Sequence, residues 1–144
     1  MTTPPLLAAF AAVVLSIGDG DTMRVIDPAG QRVTVRLACI DAPEARQPGG
    51  AEARAFLAVL APVGSAVTVR PHSADRYRRL VAEVGEVNSA MVAGGQAFAY
   101  RRYLTRCDRR AYLAAEAAAQ RERLGVWATP GGGVRPWDWR RGVR

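Results

Sequence analysis

The 144-residue sequence predicts a mainly β domain of the α+β class. Five short segments have the alternation or β-branched composition of strands, three longer segments have helical patterns, and Gly, Pro and Asp clusters separate them. One of the helices lies between the third and fourth strands. Because this order of elements is that of the OB-fold, we expect a five-stranded OB-fold Greek-key barrel with about three helices.

The first three strands are predicted to form a meander. Residues 32–39 give the clearest signal, because polar and apolar residues alternate along the first six of them. Residues 13–17 and 23–27 are the two preceding strands, and turn-forming clusters at 18–21 and 28–30 connect the three. In such a meander, the turn between the first two strands can lie next to the end of the third strand.

The second half of the predicted domain alternates helices and strands. The expected elements are a helix at 51–61, strands at 66–70 and 80–84, and helices at 87–94 and 108–123. Asp108 has the residue type and position of an N-cap. We therefore assign residues 12–130 to one domain and residues 131–144 to a basic, Trp-containing tail.

The N-terminus and the two cysteines bear on the compartment. We interpret residues 1–11 as an N-terminal extension or a degraded signal, and the apolar segment 6–15 is too short to insert stably in a membrane, which takes about 20 residues. Cys39 and Cys107 form either a disulfide or two buried thiols, and the sequence leaves both open. A bridge would favour a secreted or periplasmic protein over a cytoplasmic one.

The composition excludes several classes of enzyme. All 20 basic residues are arginine, which excludes lysine Schiff-base enzymes and phosphate-loop ATPases. One histidine, His72, cannot build a histidine-rich zinc site, and two distant cysteines cannot build a zinc ribbon. Carboxylates, arginines and hydroxyls remain as the reactive groups.

Charge is unevenly distributed along the chain. The net charge is +7, with residues 1–75 at −1 and residues 76–144 at +8. A basic protein favours an anionic partner such as nucleic acid or a membrane surface. The acids of the first half include Asp19, Asp21, Asp41 and Glu44, which suggests an acidic pocket inside a basic protein.

Three polar clusters carry the candidate chemistry, although a hairpin turn, a strand end and a solvated basic turn would each explain one of them. The meander can bring Asp21 and Asp41 together, and two carboxylates suit a hard cation such as Ca²⁺ or Mg²⁺. Glu44 would then orient or deprotonate a water. Arg36 and Arg79 can clamp a phosphate, which completes a set of groups suited to phosphodiester hydrolysis.

These clusters resemble the three signature motifs of the staphylococcal nuclease-like (thermonuclease) family. They are Asp19-Gly20-Asp21-Thr22, then Val35-Arg36-Leu37 leading into Ile40-Asp41-Ala42-Pro43-Glu44, and Asp75-Arg76-Tyr77-Arg78-Arg79. Residues 87–97 and 122–127 also resemble later helices of the family. The resemblance covers roughly residues 13–127.

The resemblance implies a calcium site and a nuclease. It implies Ca²⁺ ligation by the carboxylates of Asp21 and Asp41 and by the carbonyl of Ala42, with Asp19 supporting the ligands. Arg36 would hold the phosphate, Glu44 would be the general base and Arg79 would stabilise the transition state. The implied reaction is hydrolysis of DNA and RNA to 3′-phosphate ends by an expected monomer.

The remaining implications are less direct. Tyr77 and Tyr103 resemble nucleotide-pocket residues, although ordinary packing explains them as well. Arg78 replaces a usual glycine and would cost about 1 kcal/mol if its φ is positive.

The alternative function is a catalytically silent OB-type module that binds nucleic acid or protein. The presence of all five residues that the family uses favours the enzyme; they are Asp21, Arg36, Asp41, Glu44 and Arg79.

Overall fold

The computed structural model describes residues 8–144, in which five strands close a barrel. The described residues contain seven strands, which in chain order are β1 (Phe10–Ile17), β2 (Thr22–Ile26), β3 (Arg32–Leu37), β4 (Ile40–Asp41), β5 (Ala66–Ala74), β6 (Leu80–Val84) and β7 (Phe98–Ala99). Of these, β4 and β7 form a separate two-stranded sheet. The barrel order is β1-β2-β3-β6-β5, with β3 and β6 parallel and the other neighbours antiparallel. This confirms the predicted five-stranded barrel of the α+β class.

Alternation along the strands forms the core. Met23, Val25, Val35 and Leu37 are completely buried, whereas the arginine between Met23 and Val25 is exposed. The apolar side chains of β2 and β3 therefore point into the barrel, as the period-two pattern predicts. The intervening polar residues are left at the barrel surface and at its mouth.

Four α-helices pack around the barrel. They are α1 (Gly50–Leu60), α2 (Val87–Ala93), α3 (Arg109–Arg121) and the short α4 (Pro136–Trp139). Three 3₁₀ helices lie at Arg101–Arg106, Gly125–Ala128 and Pro130–Gly132. Asp108 caps α3, since its Oδ1 accepts the N–H of Ala111 at 3.0 Å. Within residues 8–144, every helix is too short or too polar to cross a bilayer.

Several boundaries differ from the predicted ones for local reasons. β1 begins at Phe10 because residues 10–13 pair with β5, and residues 1–7 of the predicted extension lie outside the described part of the chain. β2 ends before Asp27, whose carboxylate accepts the N–H groups of Ala29 and Gln31 at 3.0 and 2.8 Å. β5 continues to Ala74 because it stays paired with β6 across an irregularity after Pro71.

The segment after β3 leads from the barrel into the candidate site. The strand ends at Leu37, and Cys39 has a positive φ of 69°, so the chain turns before pairing again as β4 with β7. Cys39 is disulfide-bonded to Cys107, with their Cα atoms 6.5 Å apart. The sequence left open whether these cysteines form a disulfide or remain buried thiols, and the structure contains the disulfide.

Candidate active site

An open cleft of about 900 Å³ lies at the mouth of the barrel. Seven of the nine predicted site residues line this cleft, namely Asp19, Asp21, Arg36, Glu44, Tyr77, Arg79 and Tyr103. The other two, Asp41 and Ala42, are buried directly behind Glu44. The structure therefore brings the three sequence clusters to one place.

The turn after β1 and the end of β3 meet as the meander predicts. The Oδ2 of Asp21 accepts the N–H of Ala42 at 2.8 Å, and the carbonyl of Asp21 accepts the N–H of Leu37 at 2.8 Å. Gly20 permits this close approach, because a Cβ there would lie 2.6 Å from the Cβ of Ala53 in α1. These two contacts fix Asp21 relative to the end of β3 and to Ala42, the residue after β4.

Asp19 lies beside Asp21 on the same turn. Its Oδ1 accepts the N–H of Asp21 at 3.3 Å, and burial, followed by the neighbouring charge of Asp21, raises its pKa to about 6. A second acid so close to Asp21 makes this end of the cleft strongly attractive to a cation.

Arg36 lies between the two buried aspartates. Its Nη2 is 3.4 Å from Oδ1 of Asp41 and 3.5 Å from Oδ2 of Asp21. Asp41 is 0% exposed and Asp21 is 5% exposed, so these charges are shielded from bulk water. Arg36 compensates their charge, and because it lines the cleft it can also meet a phosphate there.

An arginine from the C-terminal tail enters the same cluster. Arg140 contacts both oxygens of Asp41, with Nη2 at 2.7 Å from Oδ2 and Nη1 at 3.0 Å from Oδ1. Its Nη1 also lies 2.6 Å from Oε1 of Glu44. Hydrogen bonding to Asp41 and then to Glu44 raises the pKa of Arg140, which outweighs the opposing effect of its burial.

The arginine turn at residues 75–79 forms the opposite wall. Asp75 organises it by accepting the N–H groups of Tyr77 and Arg79 at 2.9 and 3.0 Å and the Nε–H of Arg79 at 2.8 Å. Because Leu80, the first residue of β6, pairs with Val35, Arg79 directly precedes the strand next to the one that carries Arg36. Arg78 has φ 62°, so it adopts the left-handed conformation considered for this position.

Tyrosines line the cleft beside these charges. Tyr77 is 64% exposed, and the Cζ atom of Arg79 lies over its ring at 5.3 Å from the ring centre. Tyr103 is 53% exposed and packs edge-on against Tyr100, with ring centres 4.8 Å apart. Tyr100 in turn stacks on Trp137 of the tail at 5.1 Å. The two predicted tyrosines therefore present exposed ring surface to the cleft.

Sequence reasoning missed Tyr100 and Arg140. Arg140 contacts residues 96 and 99 positions earlier in the chain, and no periodicity or motif spacing predicts a contact at that distance. The one available signal was the polar-aromatic character of the tail, in which Trp137 and Trp139 precede Arg140. That character is compatible with tryptophans that stack bases or that cover the base of the barrel, and we favour the cover from sequence; neither interpretation identifies the contact of Arg140 with Asp41 and Glu44.

The donor set fits a hard divalent cation. Carboxylate oxygens of Asp41 and Glu44 are gathered around one cationic group, the guanidinium of Arg140, and Asp21 joins Asp41 through Arg36. Oxygen ligands of this kind suit Ca²⁺ or Mg²⁺. Ala42 is placed beside Asp21 by its N–H, while ligation by its carbonyl stays a prediction.

Comparison with known proteins gives a consistent result. A family model described as "Staphylococcal nuclease homologue" matches residues 34–129. The chain is 38% identical over 150 aligned residues to "Micrococcal nuclease" of Shigella flexneri, covering 95% of this chain and 84% of that protein. It is also 38% identical to "Protein ParB" of Escherichia coli, covering 95% and 82%. An "Uncharacterized endonuclease" of Haemophilus influenzae is 35% identical, covering 89% and 71%.

Proposed function

The chain belongs to the staphylococcal nuclease homologue family, and from this premise we propose that it is a Ca²⁺-dependent nuclease acting on DNA and RNA. Its membership supports nuclease activity as such, and the cation, the substrates and the 3′-phosphate products are the proposed part. The observation that carries the proposal is the convergence of Asp21, Asp41 and Glu44 at one end of an open cleft, where Arg36 contacts both aspartates and Arg140 joins Asp41 to Glu44.

Asp21 and Asp41 would hold the Ca²⁺ ion, with the carbonyl of Ala42 as a further ligand. When bound, the ion would neutralise charge on the phosphate and favour ionisation of a nearby water. Asp19 lies behind Asp21 and would keep its carboxylate oriented through the shared turn. Hydrogen bonds of Asp21 and the pairing of β4 with β7 already hold the backbone around the two aspartates, so the chain itself needs little ordering to receive the ion.

Glu44 would accept a proton from the attacking water, because its side chain lines the cleft and is 30% exposed, against 7% for Asp21 and 0% for Asp41. Water oxygen then forms the new bond to phosphorus, the P–O5′ bond breaks, and the 5′ oxygen takes up a proton to leave as a hydroxyl. The products are a 3′-phosphate and a 5′-hydroxyl.

Arg36 on β3 and Arg79 just before β6 would bind the non-bridging phosphate oxygens. Guanidinium groups donate paired hydrogen bonds to phosphate, and this interaction strengthens as negative charge develops in the transition state. Exposed rings of Tyr77 and Tyr103 would stack against the sugar or base next to the scissile phosphate. The net charge of +7 would attract the polyanion and make its binding salt-dependent.

A plasmid-nicking assay tests the proposal. Supercoiled DNA is incubated with EGTA-stripped protein, with and without added Ca²⁺, and the 3′ ends of the products are probed with a 3′-phosphatase. We expect cleavage only when Ca²⁺ is added. The 3′ ends of the products should be extended by a DNA polymerase only after phosphatase treatment. Equal cleavage in EGTA would contradict the calcium site. DNA binding without cleavage in Ca²⁺ would identify the silent binding module instead.

A further inference from the structure

The C-terminal tail is attached to the barrel by specific contacts before it reaches the site. The carbonyl of Val134 accepts a hydrogen bond from Nε2 of Gln47 at 2.6 Å, and Gln47 is itself only 5% exposed. The guanidinium of Arg135 lies 4.4 Å above the ring of Phe98. These contacts fix the direction of the chain as it enters α4.

Trp137 provides the main anchor of the tail. Its ring stacks on Tyr100 at 5.1 Å with an interplanar angle of 5°, and it meets the buried ring of Phe98 edge-on at 6.0 Å. Aromatic pairs of these geometries stabilise beyond the apolar area that they bury. Arg140 follows directly after α4, so the position of its side chain is set by this anchor.

Gln47 also connects the tail with the proposed base. Its Oε1 accepts the N–H of Glu44 at 3.0 Å while its Nε2 donates to Val134. One buried amide side chain therefore holds the Glu44 loop and the tail together. The approach of Arg140 to Glu44 is built into the packing on both sides.

The position of the Arg140 guanidinium is that of a cation shared by Asp41 and Glu44. A divalent ion ligated by Asp41 would have to share the same carboxylate oxygens, both of which Arg140 uses. A proton-accepting role for Glu44 likewise requires its carboxylate to be released from the guanidinium. Two steps of the proposed reaction therefore depend on where Arg140 lies.

We propose that Arg140 is an internal counter-cation of the active site: it occupies the cation position when Ca²⁺ is absent and must leave Asp41 and Glu44 when Ca²⁺ binds. This inference rests on the proposed calcium site. Because the ion binds only the fraction of molecules in which Arg140 has left, the apparent calcium affinity is reduced by that fraction. The tail thereby sets the calcium concentration at which the enzyme becomes active.

Calcium titration calorimetry on EGTA-stripped full-length protein tests this inference. We compare wild type, Arg140→Gln and the matched control Arg141→Gln, which removes the same charge from a residue paired only with Asp138 among its described carboxylate neighbours. We expect Arg140→Gln to bind Ca²⁺ about tenfold or more tightly than wild type and Arg141→Gln to match wild type. The calcium concentration for half-maximal nicking should fall in parallel.

A second variant shows whether calcium affinity depends on the position of Arg140 or only on the net charge of the protein. It also keeps the inference testable if Arg140→Gln does not fold. Trp137→Ala keeps every charge but removes the anchor, so we expect tighter calcium binding than wild type, by a smaller factor than for Arg140→Gln. Equal calcium affinities in wild type, Arg140→Gln and Trp137→Ala would overturn the inference and leave the nuclease proposal intact. A lack of calcium binding by all the proteins would overturn the calcium site and this inference with it.

Discussion

The two walls of the cleft are held in place in different ways. The acidic wall, residues 19–22 and 40–44, consists of the turn between β1 and β2 and the segment that begins with β4, and hydrogen bonds between buried groups hold it to the barrel. The arginine turn, residues 75–79, is a mostly exposed connection organised by the single carboxylate of Asp75. The residues proposed to hold a cation thus belong to buried, hydrogen-bonded segments, whereas Arg79, proposed to bind the phosphate, belongs to an exposed turn.

The largest expected effect concerns the acidic wall. Glu44→Gln should lower kcat by a factor of about 10² to 10⁴, because the amide cannot accept a proton from water. Its effect on folding should be small, since the recorded side-chain contact of Glu44 is with Arg140. Nicking kinetics and DNA-binding titrations measure the two properties, with exposed Glu52→Gln as the charge-matched control. Full activity of Glu44→Gln would contradict its assigned role.

The second prediction concerns the contribution of Asp41 in the acidic wall to the free energy of unfolding. Asp41→Asn should lower the free energy of unfolding in EGTA by about 3 kcal/mol, because Arg36 and Arg140 lose the buried charge they compensate. Urea denaturation measures the change, and Glu122→Gln, which alters an exposed acid, should leave stability nearly unchanged. An Asp41→Asn protein as stable as wild type would mean that the acidic wall is held by its backbone contacts alone.

The third prediction concerns the arginine turn. Arg78→Gly should raise the free energy of unfolding by about 1 kcal/mol, because glycine adopts φ 62° without the steric cost that arginine bears. Arg76→Gly in the same turn is the control, since Arg76 is not among the residues with positive φ, and it should not stabilise the protein. If Arg78→Gly stabilises no more than its control, the turn is relaxed in solution.

The smallest effect is a pH dependence of the same turn. Burial raises the pKa of Asp75, but hydrogen bonds from Arg79 and then Tyr77 outweigh it, so the pKa lies below its usual value. The carboxylate therefore stabilises the folded state above its unfolded pKa, and this contribution is lost as the pH falls through the folded pKa. Urea midpoints of wild type and Asp75→Asn should differ at pH 7, and the difference should shrink as the pH is lowered to values below 3.8, the ordinary pKa of an aspartate. A gap that stays constant between these pH values would show that ionisation of Asp75 does not stabilise the turn.

Much of the barrel and of the site was predictable because it depends on local signals. Alternation over residues 32–37 identifies β3 and its buried face, and Asp108 has the residue type and position of a helix cap. Asp21 and Asp41 could be placed together because a meander makes its turn and its strand end neighbours. Arg78 could be flagged only through the family resemblance, because the family usually has glycine there, the residue that adopts a positive φ at least cost.

The parts that could not be predicted depend on contacts between distant residues. β4 and β7 have two residues each, too few for any periodicity, and they exist because each pairs with the other. The extension of β5 to Ala74 depends in the same way on pairing with β6. Arg140 reaches Asp41 through the anchoring of Trp137, a packing event that leaves no pattern in the sequence.

The disulfide has a consequence for proteolysis. The arginine turn is exposed and lies between Cys39 and Cys107 in the chain, so a protease that cuts after arginine could cleave at Arg76 or Arg78. The two fragments would remain one covalent molecule, and the pairing of β5 with β6 would still hold the cut ends in the same barrel. Cleavage would thus be invisible on a non-reducing gel, and a nicked protein would separate into two pieces only after a thiol reductant opens the bridge.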